Sequence, residues 1–280
     1  MKKYFFISDV HSFYTEMITA LKKAKFDKDN PEHCLVVLGD VFDRGNETKK
    51  VYEFLTSLNQ DRLILVRGNH EQLYLELLKK RLPDNYDYSN GTVKTFCHVA
   101  GFEPEVMSRS YWYKKSAIEG IDIQHYDNEP YATWLQIKEI VAMSPITKWL
   151  QSDKWVNYFE LNDYIGVHSY IPLQMKPSWM YNAPETAIGY REDWRNATQT
   201  EWYDATWGCP WRYAQCKYNK TGKTIICGHW HTSDFYNHLS KQHKDTYDCP
   251  IFKSKRYGII GIDACTVGSG KVNVLIIEQE

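Results

Sequence analysis

The chain has 280 residues, 43% of them hydrophobic, and a formal net charge of −1. That length is enough to bury a sizeable core, as one large domain or as a core with a lid. The near-neutral balance gives no electrostatic reason to expect a nucleic acid or an acidic membrane as partner, and no apolar run approaches the ~20 residues of a membrane span.

In chain order, residues 4–8 form a short apolar run predicted as a strand. Its apolar part, Tyr4 to Ile7, falls below the ~7–15 residues that the core of a secretory signal needs. Residues 13–25 carry helical spacing through Met17, Leu21 and Ala24. A second buried-strand run follows at 34–39, then a helix pattern through Val51, Leu55 and Leu58. Residues 63–68 read as a third strand, and 73–82 resume a helix that Pro83 stops. This β-α-β-α-β rhythm is that of an α/β sheet with buried parallel strands. Strand signals return at 164–169, 224–228, 257–264 and 272–278.

Two stretches interrupt the rhythm. Residues 84–160 look mostly helical and polar, and 172–222 are irregular and aromatic; nine of the ten tryptophans fall between Trp112 and Trp211. The expectation is a single domain over residues 1–280, with 84–160 and 172–222 as cap insertions over the functional edge of the sheet. The tryptophans suit stacking on a substrate ring, but packing of the insertion against the sheet accounts for them at least as well. The seven cysteines (34, 97, 209, 216, 227, 249 and 265) include no Cys-x-x-Cys pair, which reads as reduced thiols in a cytoplasmic protein.

The strand signals end in polar residues of a kind that binds metal. They are Asp9-Val10-His11, Gly39-Asp40-Val41-Phe42-Asp43-Arg44-Gly45, Gly68-Asn69-His70-Glu71, Gly166-Val167-His168 and Gly228-His229-Trp230-His231. Side chains two apart in an extended chain point the same way, so Asp9 and His11 can reach one ion. In open α/β sheets, ligands gather at the carboxyl ends of strands, where all five clusters fall. Carboxylates, imidazoles and one amide oxygen, with no thiolate, suit Mn²⁺, Fe or Zn²⁺ in a hydrolytic site. Asp40 is the natural carboxylate to bridge two cations, which would clamp a phosphate and acidify a water.

The order Asp-x-His, Gly-Asp-x-x-Asp-Arg-Gly, Gly-Asn-His-Glu, His, Gly-His-x-His resembles the calcineurin-like metallophosphoesterase superfamily. Asp43-Arg44-Gly45 resembles its phosphoprotein-phosphatase branch, which includes enzymes similar to phage lambda phosphatase and the symmetrical diadenosine tetraphosphatases. The resemblance covers residues 4–80, 163–170 and 224–278, and not the insertions. It implies a four-layer α/β/β/α sandwich of two mixed sheets. It also implies two divalent transition-metal ions, Mn²⁺ first, with Fe or Zn²⁺ as alternatives. Asp9, His11 and Asp40 match the ligands of the first metal, and Asp40, Asn69, His168 and His229 those of the second. His231 matches a further ligand of the first metal in the wider superfamily; here the chain departs from the phosphatase branch, which usually places a threonine-proline or similar pair after its histidine. His70 matches the general acid, Asp43 the carboxylate that orients it, and Arg44 a guanidinium that grips phosphate oxygens. A second phosphate-binding arginine is expected among Arg191, Arg195 and Arg212, and Arg212, with Trp207 before it, is preferred.

The implied reaction is direct attack on phosphorus by hydroxide held at the dinuclear centre, with no phospho-enzyme. The first expected substrate is phosphoserine or phosphothreonine on a protein; the alternative is a dinucleoside polyphosphate or another small phosphoester. Gly-His-x-His alone favours a nuclease. Glu71 reads as a helix N-terminal carboxylate and Asp263 as structural support.

Overall fold

Alternation along the first strand sets the layers. In the computed structural model, which describes residues 1–120, 128–176 and 187–279, strand β1 (Lys2–Ile7) sends Phe5 and Ile7 into one core and Tyr4 and Phe6 into another, as period-two geometry requires. Residues 121–127 and 177–186 of the two expected caps, with His125 and Trp179, lie outside the described residues. After β1 come β2 (His33–Val37), β3 (Leu63–Val66), β4 (Trp155–Val156), β5 (Phe159–Glu160), β6 (Tyr164–Gly166) and the pair β7 (Gln174–Met175) and β8 (Ala187–Gly189). The chain closes with β9 (Thr224–Cys227), β10 (Phe252–Ser254), β11 (Ile259–Gly261) and β12 (Leu275–Gln279).

One sheet has the order β12-β1-β2-β3-β4, parallel from β1 to β4 with β12 antiparallel at the edge. The other has the order β10-β11-β9-β6-β5, with β11, β9 and β6 parallel between antiparallel edges. Between the sheets, Phe6, Val36 and Leu38 meet Ile226, Ile260 and Ile262. On the far side of the first sheet, Phe5, Leu35 and Val37 pack with Met17, Val51, Leu55 and Tyr74 of the helices Tyr14–Lys23, Thr48–Ser57 and Asn69–Leu77. On the far side of the second, Ile165, Ile225 and Ile259 pack with Trp194, Trp202, Tyr213 and Phe235. These are the four layers expected.

Residues 84–160 differ from the expected cap. Val93 and Phe96 of the helix Thr92–Ala100, and Trp134, Ile137 and Val141 of the helix Glu129–Met143, belong to the same core as Phe5 and Leu35. The segment therefore completes the first outer layer, and its last residues supply β4 to one sheet and β5 to the other. Its polar composition hid a narrow apolar stripe, for Trp134, Ile137 and Val141 stand at helical spacing. In 172–222, Trp194, Trp202 and Trp211 are buried in the second outer core, so packing accounts for them. Among the described residues no helix is long and apolar enough to cross a membrane.

Candidate metal centre

The loops that leave β1, β2, β3, β6 and β9 converge. β1 ends at Ile7, and Asp9 and His11 adopt left-handed φ of 51° and 49°, so they lie in a turn and not in the extended chain expected for them. Asp40, Asp43, Arg44 and His229 are left-handed too, at 56°, 73°, 62° and 67°. Each such non-glycine residue costs on the order of 1–3 kcal/mol and persists only where its surroundings hold it. Here the loops hold one another: His11 N donates to Asp40 O at 2.9 Å, Ser12 N to Val41 O at 2.8 Å, and Gly45 N to His11 O at 2.9 Å. A side chain on Gly45 would strike the His11 carbonyl, and one on Gly228 the Asp9 carboxylate.

Asp40 sits at the centre and is fully buried. Its Oδ1 accepts from His70 N at 3.0 Å and lies 3.4 Å from His168 Nε2; its Oδ2 lies 3.8 Å from His11 Nε2 and 3.9 Å from His70 Nε2. Two groups of donor atoms share this carboxylate, His11–Asp40–His70 and Asp40–His168–His229. Asn69 Oδ1 is 2.8 Å from His168 Nε2, and His229 Nδ1 is 3.2 Å from it. The histidines are aimed by the main chain. His11 Nδ1 meets Phe42 O at 3.0 Å, His168 Nδ1 meets Leu38 O at 2.7 Å, and the Trp207 carbonyl hydrogen-bonds the His229 ring. Each carbonyl takes one nitrogen and leaves the other for the centre, which is the usual way a protein prepares an imidazole for a cation. Residue types and orientation therefore fit two hard or borderline divalent ions sharing one carboxylate.

Asp9 is beside this centre rather than within either group. Its carboxylate accepts from His229 N at 3.0 and 3.2 Å and from Ser8 Oγ at 2.5 Å, tying the first sheet to the second. His231 is half-buried and lines a groove with Arg44. His70 Nδ1 is 2.7 Å from Asp43 Oδ2, and the Arg44 guanidinium spans His11 Nε2 at 2.9 Å and His70 Nε2 at 3.2 Å. Pro210 opens the helix Pro210–Gln215, which lays the Arg212 guanidinium over the Trp211 ring at 5.5 Å. Arg191 is paired with Asp193 and Glu201, and Arg195 with Glu160.

Three further groups support the centre, Glu71 beyond its expected helix-end role and two threonines that no sequence motif marks. Glu71 does more than cap its helix: its carboxylate accepts from Gly68 N, Asp40 N and Val41 N at 2.7–2.9 Å, clamping the Asp40 loop to the Asn69–His70 turn. Thr92 Oγ1 and Thr95 Oγ1 donate to the two oxygens of Asp43 at 2.8 and 2.7 Å, and both threonines are buried. They come from the segment expected as a cap. Thr95→Val is expected to cost about 1.5–3 kcal/mol of stability, the scale of a hydrogen bond to a charged group, and roughly tenfold in turnover of an alkyl phosphate. Thr95→Ser should restore turnover; if valine is as active as threonine, Asp43 needs no such support.

Burial dominates the protonation of the centre. It holds the His11 and His229 imidazoles well below their ordinary 6.5, with neighbouring imidazoles and Arg44 pushing the same way. It holds the Asp40 carboxyl well above its ordinary 3.8, Asp9 and Glu71 adding to the rise. Burial would also lower His70, but Asp40 and the hydrogen-bonded Asp43 outweigh it and raise that imidazole. The signs give a pH dependence. The depressed histidines contribute stability above pH 6.5 that is lost as pH falls below it, whereas the raised Asp40 contributes stability at low pH that is lost as pH rises above 3.8. A cation needs neutral imidazoles and an ionised Asp40, so protons compete with it. The rise in melting temperature on adding Mn²⁺ should be larger at pH 8 than at pH 6. An equal rise at both would contradict this protonation pattern.

The family described as calcineurin-like phosphoesterase matches residues 2–233. A symmetrical bis(5'-nucleosyl)-tetraphosphatase from Buchnera aphidicola subsp. Acyrthosiphon pisum is 40% identical over 67 residues, which is 24% of this chain and 23% of that protein. The aligned part thus spans under a quarter of that relative. Among solved structures, a cold-active protein-tyrosine phosphatase from a psychrophilic Shewanella aligns with 100% of this chain and 76% of its own at a TM-score of 0.51 and 17% identity. A serine/threonine protein phosphatase from Saccharomyces cerevisiae aligns with 100% of this chain and 81% of its own, at 0.50 and 14%. Both show the shared fold.

Proposed function

The chain belongs to the calcineurin-like phosphoesterase family, and on that premise we propose that it hydrolyses phosphomonoesters at a centre of two divalent transition-metal ions, Mn²⁺ first. The ions would be held by Asp9, His11, Asp40, Asn69, His168, His229 and His231. The observation that carries this reading is Asp40, whose Oδ1 faces His168 while its Oδ2 faces His11 and His70. Cations bound there supply Lewis acidity towards phosphoryl oxygens and lower the pKa of water.

The protein's own groups do the rest. Arg44 presents a planar fork in the space between His11 and His70, and a phosphate offering two oxygens would replace those imidazole contacts with a bidentate pair. That exchange frees His70 Nε2 to carry the proton that the departing oxygen takes. Asp43, held by Thr92 and Thr95, keeps Nδ1–H engaged and stabilises the imidazolium before transfer. Phosphoserine or phosphothreonine of a protein fits this chemistry. A nucleoside polyphosphate is the second reading, favoured by the name of the aligned tetraphosphatase.

A panel of an alkyl phosphopeptide, a dinucleoside polyphosphate and a bis-aryl phosphodiester separates the classes with Mn²⁺-loaded protein. Monoesters should exceed the diester in kcat/KM because a terminal phosphate has more charged oxygens for Arg44 to grip. Arg44→Lys should erode that preference by roughly tenfold, since lysine keeps the charge and loses the fork. A wild type that prefers the diester would sink the monoesterase reading.

A further inference from the structure

We propose that the groove beside Arg44 is a second anion subsite, built for a phosphate carried by the leaving group itself, with Lys94 as the residue that selects it. This deepens the phosphoesterase reading and rests on it. The groove has a volume of 640 Å³ and is walled by Arg44, His231, Lys94, Tyr88, Tyr247 and Val267 among others. A single phosphoryl group needs far less room; pockets of about 300–1,000 Å³ take whole small molecules. It begins at Arg44, the guanidinium assigned to the scissile phosphate, so a substrate gripped there can extend its remaining part into the groove.

Its charge is one-sided. Acidic residues slightly outnumber Lys and Arg in the chain, 35 to 34, yet none of the described residues lining the groove is acidic. Lys94 Nζ donates to the Arg44 carbonyl at 2.9 Å, which fixes the ammonium next to the guanidinium's own loop and leaves two further donors on it. Gly91, the N-terminal cap of the helix Thr92–Ala100, also lines the groove, and the first turn of that helix carries no acidic residue. The amide end of that helix already faces the Asp43 carboxylate that Thr92 and Thr95 hold, so the positive charge of the groove comes from Arg44 and Lys94. Tyr88 and Tyr247, 45% and 62% exposed, also line the groove. An uncharged serine or threonine side chain would use none of these features, whereas an anhydride-linked phosphate would use the cations.

The test is calorimetric binding of pyrophosphate and of orthophosphate to Mn²⁺-loaded protein in Mn²⁺-saturated buffer at low salt. The wild type should bind pyrophosphate roughly tenfold or more tightly than orthophosphate, the scale of one charge-assisted hydrogen bond, and Lys94→Gln should abolish the difference. Val267, half exposed on the groove wall, gives a second handle that leaves the Arg44 loop untouched. Val267→Glu should weaken pyrophosphate several-fold and Val267→Lys should tighten it. The proposal is overturned if the wild type shows no preference for pyrophosphate, or if the variants leave the preference unchanged. It is also overturned if Lys94→Gln weakens only an acidic phosphoserine peptide. Binding is read apart from turnover, so a protein that hydrolyses no phosphoester would sink the catalytic reading without deciding this one.

Discussion

Asp40→Ala is expected to lose both cations and to lower kcat/KM on the order of 10³-fold or more, the worth of several kcal/mol of charge stabilisation. His11 belongs to one group of donors and His168 and His229 to the other, whereas Asp40 belongs to both. Its removal should therefore empty the two sites together, where His229→Ala should weaken chiefly one. The metal-free fold offers a control. Burial holds the Asp40 carboxyl well above its ordinary value, so its ionised form is unfavourable in the folded protein without a cation. Asp40→Asn keeps an acceptor for His70 N and has no charge to bury. At pH 8 it should be at least as stable as the metal-free wild type while binding no metal. If Asp40→Ala keeps both ions and full activity, the carboxylate is not the bridge.

His70→Asn should lower turnover of an alkyl phosphate by roughly 10²–10⁴-fold, and of p-nitrophenyl phosphate only a few-fold. A phenolate leaves without help, while an alkoxide needs a proton at the moment of cleavage. The geometry gives His70 a rival role, because its Nε2 falls into the same group of donor atoms as His11 and Asp40. The 2.7 Å contact of Nδ1 with Asp43, itself held by Thr92, argues for an acid with an orienting carboxylate, and asparagine cannot serve as that acid. Metal analysis separates the roles. Intact metal content with a leaving-group-dependent loss identifies the acid; equal losses on both substrates, or lost metal, assigns His70 to the metal.

The parts legible in the sequence share a physical cause. β1, β2 and β3 stand as short apolar runs cut off by Asp9, Gly39-Asp40 and Gly68-Asn69, so each strand end and its polar cluster could be read together. The convergence of His168 and His229 on Asp40 followed from the rule that parallel strands deliver ligands at their carboxyl ends. What was hidden depends on contacts remote in sequence or on backbone conformation. Thr92 and Thr95 meet Asp43 across 49 and 52 residues, inside a segment whose composition resembled a lid. The left-handed turns at Asp9 and His11 leave no apolar pattern, since their hydrogen bonds run to the next loop. The helix that carries His70 starts at Asn69, four residues before its apolar spacing becomes visible, because Glu71 folds back onto Gly68 N. The short helix Pro210–Gln215, which sets the Arg212 guanidinium over the Trp211 ring, likewise leaves no apolar periodicity to read.

The central claim is that one carboxylate divides two cations. Anomalous-difference diffraction at the manganese edge, on crystals of the protein grown with Mn²⁺, tests it most directly. Two peaks are expected about 3.5–4 Å apart, one near His11 and Asp9, the other near Asn69, His168 and His229, with Asp40 between them. A single peak, or two peaks that leave Asp40 to one side, would contradict the account.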